Sequence, residues 1–104
     1  MKYVLILAAG LAAGGAAHAQ SKDPAKLAVE KACMACHAMD KKIVGPSFKE
    51  VAAKYKGDAK AEAALTQKVI AGGAGVWGPA PMPPNGALKE DEARLLVKWV
   101  LGVK

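Results

Sequence analysis

The chain has 104 residues, a net charge of +6 and 53% hydrophobic residues. This length suits one small domain. A domain of this size gains only marginal stability from an apolar core, so it commonly recruits disulfides, a metal or a cofactor. Two cysteines exclude a disulfide-rich framework. Length and composition therefore favour a bound group that completes the core.

Residues 1–19 have the pattern of an export signal. Lys2 gives a positive start, an apolar run follows it, and a small-x-small cleavage site ends at Ala19. The apolar run is shorter than the roughly 20 residues that span a bilayer, which favours a cleaved signal over a membrane anchor. We therefore expect cleavage before Gln20 and an exported domain of residues 20–104.

Four segments of the exported domain have helical signals, and none alternates long enough to form a strand. Asp23 and Ser47 are N-cap residues, whereas Gly57 and Gly72 are stop signals. The sequence predicts an all-α domain. Its helices are expected from Pro24 to about Cys33, from Phe48 to just before Gly57, from Ala59 to Ala71, and from about Lys89 to Gly102.

The apolar positions of these helices predict a core. We expect them to pack on each other and on any bound group. The core prediction covers Phe48, Val51, Leu65, Leu95 and Val100.

Residues 33–37 read Cys-Met-Ala-Cys-His, and C-x-x-C-H is the spacing at which two thiols attach to the vinyl groups of a c-type haem. Cys33 and Cys36 would form the thioethers, and His37 would reach the iron from one face. The motif alone leaves a thiol site or a metal site open. A disulfide between the two cysteines would enclose only two residues and would stabilise the fold little.

The second iron ligand is sought among the methionines. His18 leaves with the signal, so His37 is the only histidine of the exported domain and a second histidine ligand from the same chain is excluded. Met34 lies inside the attachment motif, and Met39 is too close to His37 to reach the opposite haem face. Met82 remains, in a loop that its prolines stiffen. A core methionine is the alternative, but four prolines in a loop favour ligation.

Six short motifs spread over nearly the whole exported domain point to one family. They are Cys33-Met34-Ala35-Cys36-His37-Ala38, Val44-Gly45-Pro46, Val51-Ala52-Ala53-Lys54, Gly75-Val76-Trp77-Gly78-Pro79, Pro81-Met82-Pro83-Pro84-Asn85 and Lys98-Trp99-Val100-Leu101. On these motifs the chain resembles the class I cytochromes c, and closely the small bacterial cytochrome c-551 (cytochrome c8) type.

The resemblance implies a compact four-helix fold around one covalently bound, low-spin haem c, with His37 and Met82 as axial ligands. It also implies that the Pro46 carbonyl accepts a hydrogen bond from His37, that Asn85 donates to the Met82 sulfur, and that Trp77 binds a haem propionate. A hydrogen bond to the second ring nitrogen fixes the tautomer and the orientation of a ligand histidine. The alternatives are a core aromatic for Trp77 and a turn residue for Asn85.

Three residues depart from the family pattern. Ala32 stands where a glycine is common at the crossing of the first and last helices, and alanine is still small enough for close packing. Lys68 stands where an arginine often binds a propionate, and lysine offers charge without two parallel hydrogen bonds. Lys89 replaces a serine N-cap, so we expect a weakly specified start for the last helix.

A haem whose two axial positions are both filled by protein has no place to bind a substrate, so we expect a one-electron carrier and not an enzyme. The resemblance suggests a periplasmic carrier between a membrane quinol-oxidising complex and a nitrite reductase or terminal oxidase. One alternative is a haem-based sensor or peroxidase-like catalyst with an open sixth site, against which the Met82 loop argues. Another is a thiol oxidoreductase, which needs free Cys33 and Cys36.

The basic surface predicts transient docking onto acidic redox partners. Without Lys2 the exported domain has 14 basic and nine acidic residues, a charge of +5. We expect a monomer that neither inserts stably into a membrane nor binds nucleic acid. Candidate docking residues are Lys31, Lys41, Lys42, Lys49, Lys54, Lys56, Lys60, Lys68 and Lys89, although a charge run is more often a solvated face.

Overall fold

The computed structural model describes Gly10 and residues 23–104. Apart from Gly10, the predicted signal of residues 1–19 and its cleavage site lie outside the described residues. The described part contains the α-helices α1 (Pro24–Glu30), α2 (Phe48–Lys54), α3 (Ala61–Ala71) and α4 (Glu90–Leu101), and a short 3-10 helix, Cys33–Ala35. Its β-structure is limited to two isolated bridges, so the prediction of an all-α fold is confirmed.

The starts of α1 and α2 follow from their capping residues. The Asp23 carboxylate accepts a hydrogen bond from Ala25 N at 3.0 Å. At α2 the Ser47 hydroxyl accepts from Glu50 N at 3.0 Å, and the Glu50 carboxylate accepts from Ser47 N at 3.2 Å. These bonds satisfy amide groups that have no partner inside the helix, so both predicted starts are confirmed.

Helix α1 ends at Glu30 and not near Cys33 as predicted. Ala32 has φ 62° and ψ 20°, in the left-handed region, which a right-handed helix cannot continue through. Ala32 is also exposed, so the expectation that its small size serves a helix crossing is wrong. Glycine suits this position for a different reason, because it adopts a positive φ without steric cost.

Helix α3 begins two residues later than expected. The Asp58 carboxylate accepts from Lys60 N at 2.9 Å, and the Asp58 carbonyl accepts from Ala61 N at 3.2 Å. These two bonds form a turn that delays the helix, because a short acidic side chain competes with helical pairing.

Helix α4 starts after Lys89 without a serine-type cap, but its start is better held than expected. Glu92 reaches back, and its carboxylate accepts from Lys89 N at 3.0 Å. Glu90, Asp91 and Glu92 all lie in the first turn, where negative charge interacts favourably with the helix dipole.

Helix α4 packs against each of the other three helices. Of the predicted core residues, Phe48 and Val51 are buried, whereas Leu65, Leu95 and Val100 are only partly buried. Within the described residues, no helix is long and apolar enough to cross a bilayer. The central cluster consists of Leu27, Ala28, Leu88, Ala93 and Leu96.

Candidate haem site

A largely apolar cavity of ≈ 1250 Å³, including the part open to solvent, lies between the four helices. Leu65 of α3 and Val100 of α4 line it, which explains why these predicted core residues are only partly buried. The cavity brings together all seven site residues that the sequence predicted: Cys33, Cys36, His37, Pro46, Trp77, Met82 and Asn85.

The His37 ring is held on two sides. Its Nδ1 lies 2.7 Å from the Pro46 carbonyl oxygen, and because a carbonyl can only accept, Nδ1 carries the proton. The ring also stacks on Phe48, with centroids 5.2 Å apart. A Cβ on Gly45 would lie 2.6 Å from His37 Cε1, so only glycine fits beside the ring. His37 Nε2 therefore keeps a lone pair with which it can bind a metal.

Cys33 and Cys36 are both partly buried and are not joined to each other by a disulfide. Burial raises the pKa of the Cys33 thiol, and a backbone hydrogen bond lowers it by a smaller amount. Reactive redox thiols have a lowered pKa, because the thiolate is the nucleophile. The raised pKa of Cys33 therefore does not favour a thiol oxidoreductase. In the described part of the chain, no group of three His, Cys, Asp or Glu side chains could hold a metal ion.

A pair of backbone hydrogen bonds positions Met82. Met82 N donates to the Gly73 carbonyl at 2.8 Å, and Gly73 N donates to the Met82 carbonyl at 3.0 Å. Gly72 has φ 79° and ψ 174°, and a Cβ there would lie 2.8 Å from both Met82 O and Pro84 N. Prolines alone therefore do not explain the position of this loop. The signal for this position in the sequence is the Gly72-Gly73 pair, of which Gly72 also ends α3.

The other methionines of the described chain lie elsewhere. Met34 packs against the central cluster, and Met39 is 39% exposed. Neither lines the cavity. Met82 is thus the one methionine among the described residues that can offer its thioether to a group inside the cavity.

Trp77 lies at the mouth of the cavity and is 36% exposed, so it is not a core aromatic. The ammonium of Lys54 lies 5.6 Å from the centre of its ring. Lys68 also lines the cavity, and its stem lies so close to Gly73 that a Cβ there would meet Lys68 Cε at 2.8 Å. Two cationic side chains therefore lie near Trp77 and the cavity.

Asn85 has a different partner from the one implied by the family resemblance. Its Nδ2 donates to the Lys31 carbonyl at 3.0 Å, and its backbone N donates to the Val69 carbonyl at 3.2 Å. An amide carries two N–H groups, so the second remains available, and donation to the Met82 sulfur stays a prediction.

Lys31 is not the free surface charge that the sequence suggested. Its Nζ donates to the Ala87 carbonyl at 3.3 Å and lies 3.9 Å from Glu92 Oε2. The other predicted docking lysines except Lys68 are exposed. They are Lys41, Lys42, Lys49, Lys54, Lys56, Lys60 and Lys89.

The donor set fits one group. Two neighbouring thiols, an imidazole with a free Nε2 and a thioether border one apolar cavity in an all-α domain. This is the donor set of a c-type haem protein, because thiols attach to the macrocycle while imidazole and thioether are axial ligands.

The chain belongs to the cytochrome c family, whose model matches residues 21–104. It is a small class I cytochrome of the c-551 type, a family of electron carriers with a covalently attached haem c. Cytochrome c-551 of Pseudomonas aeruginosa is 56% identical over 86 residues, which cover 83% of this chain and 82% of that protein.

Two further comparisons extend this result. Cytochrome c-551 of Stutzerimonas stutzeri is 47% identical over 100% of both chains. The crystal structure of Nitrosomonas europaea cytochrome c552 is similar with a TM-score of 0.75 and 42% identity, covering 77% of this chain and 99% of that one. Sequence and fold thus agree on the family.

Proposed function

We propose that this cytochrome is a periplasmic one-electron carrier whose single haem is attached through Cys33 and Cys36 and ligated by His37 and Met82. The observation that carries the proposal is the meeting of these four side chains at one apolar cavity. They come from the segment around the 3-10 helix and from the loop after α3, so only the folded chain brings them together. Haem bound there supplies a one-electron couple.

The residues of the chain would act by position and polarity. The Pro46 carbonyl holds the proton on His37 Nδ1, which leaves Nε2 unprotonated and able to bind iron. The thioether of Met82 would fill the sixth position and leave no site for a substrate or a gas. Thioether ligation and an apolar wall both favour iron(II), which raises the reduction potential. The alternative of a ligand sensor or peroxidase-like catalyst requires an open sixth position and is not favoured.

Trp77 and Asn85 complete the proposed site. The indole N–H of Trp77 would donate to a haem propionate at the cavity mouth, where Lys54 and Lys68 add positive charge. The second N–H of Asn85 would donate to the Met82 sulfur and reduce its electron donation. Both contacts tune the haem without taking part in a reaction.

The proposed partners are a membrane quinol-oxidising complex as donor and a nitrite reductase or terminal oxidase as acceptor. Export is supported by the pattern of residues 1–19, and the match to the family model begins at residue 21, close to the proposed cleavage before Gln20. Exposed lysines support transient docking of a monomer onto acidic patches.

Met82→Ala tests the proposed ligation. Loss of the thioether opens the sixth position, so the sulfur-to-iron charge-transfer band should vanish and carbon monoxide should bind the reduced protein. The reduction potential should fall by a few tenths of a volt, since axial ligands move haem potentials over about 0.8 V. Absorption spectra and potentiometry measure these changes.

Met39→Ala is the matched control, because this methionine is exposed and outside the cavity. It should keep the band, the potential and the resistance to carbon monoxide. If Met82→Ala also keeps the band and the potential, the assignment of Met82 is wrong.

Salt dependence tests the docking proposal. Exposed charges are screened beyond about 10 Å at 0.1 M salt, so electron-transfer rates with an acidic partner should fall several-fold from low salt to that concentration. Stopped-flow kinetics at constant driving force measures the effect. Rates that stay flat over this range would show that apolar contact guides docking.

A further inference from the structure

Lys31 lies where two chain segments meet. It is the C-cap of α1 and stands two residues before Cys33. Its backbone carbonyl accepts from Asn85 Nδ2 at 3.0 Å, and its Nζ donates to the Ala87 carbonyl at 3.3 Å. One residue thus binds both ends of a three-residue stretch that begins just after the Met82 loop.

The same lysine pairs with a buried carboxylate. Glu92 is 5% exposed, and its Oε2 has no hydrogen-bond partner. The ammonium of Lys31 lies 3.9 Å from that oxygen, and its own side chain is 21% exposed. A buried carboxylate is costly unless a cation compensates it, so the pair holds the Lys31 side chain against the start of α4.

The stretch that Lys31 binds, residues 85–87, follows Met82 closely in the chain. Asn85 follows Met82 by three residues, and the two residues between them are prolines, whose fixed φ transmits a displacement instead of absorbing it. The Leu88 amide closes the turn on the Asn85 carbonyl at 3.1 Å. Loss of the Lys31 contacts would leave two backbone pairings to hold this segment, the bridge between Met82 and Gly73 and the bond from Asn85 N to the Val69 carbonyl at 3.2 Å.

We propose that Lys31 is a positioning residue for Met82, which clamps the turn of residues 85–88 to the segment that leads into the haem attachment motif. This inference rests on the proposed function, since it concerns the hold of the chain on the proposed sixth ligand. The clamp couples the side of the cavity that carries the thioethers to the side that carries Met82. Its loss makes the Met82 loop open more often while the haem stays attached.

The test compares variants of the holoprotein. Lys31→Met removes the ammonium and keeps the length of the stem, and Lys31→Met/Glu92→Gln also removes the carboxylate charge that would otherwise remain buried. Lys31→Arg restores a cation. Lys98→Met is the matched control, because it breaks a pair with Glu62 whose side chains are 60% and 41% exposed.

Imidazole is the probe, since it binds iron only when Met82 has left. The imidazole concentration that halves the sulfur-to-iron band should fall about tenfold in Lys31→Met and in the double variant, the factor that corresponds to one hydrogen bond from a charged donor. Lys31→Arg and Lys98→Met should stay close to the parent protein. Guanidinium unfolding measures the stability of the whole protein, so it distinguishes opening of the Met82 loop from global destabilisation.

Hydrogen exchange of the Met82 amide gives a readout that does not depend on the iron. The protection of the Met82 amide against exchange should decrease in Lys31→Met and in Lys31→Met/Glu92→Gln, the same two variants in which the imidazole midpoint decreases. If the double variant keeps the parent imidazole midpoint and amide protection, or if Lys98→Met changes them equally, the clamp is wrong. If the parent protein lacks the sulfur-to-iron band, the proposed ligation fails, and Met82 amide exchange still decides on the clamp.

Discussion

His37 and Met82 border the same cavity but are held in different ways. His37 N donates to the Cys33 carbonyl at 3.1 Å, and the His37 ring is held as well, because it is hydrogen-bonded to Pro46 and stacked on the buried Phe48. Backbone bonds hold Met82, in a loop without regular structure. Trp77, in the same loop, is 36% exposed.

The difference shows two ways to fix a ligand. Packing around His37 resists displacement because a ring confined between neighbours has no alternative rotamer at low cost. The position of Met82 depends instead on backbone conformation, above all at Gly72. A glycine-to-alanine substitution beside Met82 and one beside His37 should therefore differ in how much stability they cost. They should also shift the reduction potential in opposite directions.

Gly72→Ala should have the largest effect. Its backbone lies in a region that is essentially restricted to glycine, and the added Cβ would clash with backbone atoms of Met82 and Pro84. We expect a loss of about 3 kcal/mol or more in the free energy of unfolding. Displacement of Met82 should weaken the charge-transfer band and lower the potential. Guanidinium unfolding, absorption spectra and potentiometry measure these changes.

Gly57→Ala separates strain from clash. Gly57 also has a positive φ, 77°, but a Cβ there meets nothing within 4 Å. It should cost about 1 kcal/mol and leave the band intact. If Gly57→Ala and Gly72→Ala lose the same free energy of unfolding, the contact of the added Cβ with Met82 and Pro84 makes no contribution.

Gly45→Ala should have the second largest effect. The added Cβ would press on the His37 ring, at a cost of about 2 kcal/mol, as for overpacking in a core. Weakening of the bond to Pro46 makes the imidazole a poorer electron donor, so the potential should rise, opposite to Gly72→Ala. Gly102→Ala, where a Cβ makes only ordinary contacts at 3.6 Å and which lies outside the cavity lining, is the control. A lowered potential in Gly45→Ala would contradict this account of the His37 side.

Ala32→Gly should have the smallest effect and the opposite sign. Ala32 is exposed and has φ 62°, so glycine relieves strain and should stabilise the holoprotein by about 1 kcal/mol. Ala64→Gly, at an exposed position inside α3, should destabilise by about 1 kcal/mol. Unfolding curves of the two variants should lie on opposite sides of the parent curve, and a destabilised Ala32→Gly would mean that this conformation carries no strain.

Local signals predicted most of the fold. The N-caps Asp23 and Ser47 and the stop at Gly72 lie within a few residues of the helix ends that they define. The end of α1 was missed because alanine is a good helix former and nothing nearby signals a positive φ at Ala32.

The candidate site divides in the same way. Cys33, Cys36 and His37 form a motif of five consecutive residues, and together with five further motifs along the chain it determined the family and one side of the cavity from the sequence by itself. Only the tertiary structure decided that Gly73 pairs with Met82, and that Lys31 is half-buried between Ala87 and Glu92. These contacts join residues that are distant in the chain, and a sequence pattern reports neighbours along the chain, not neighbours in space.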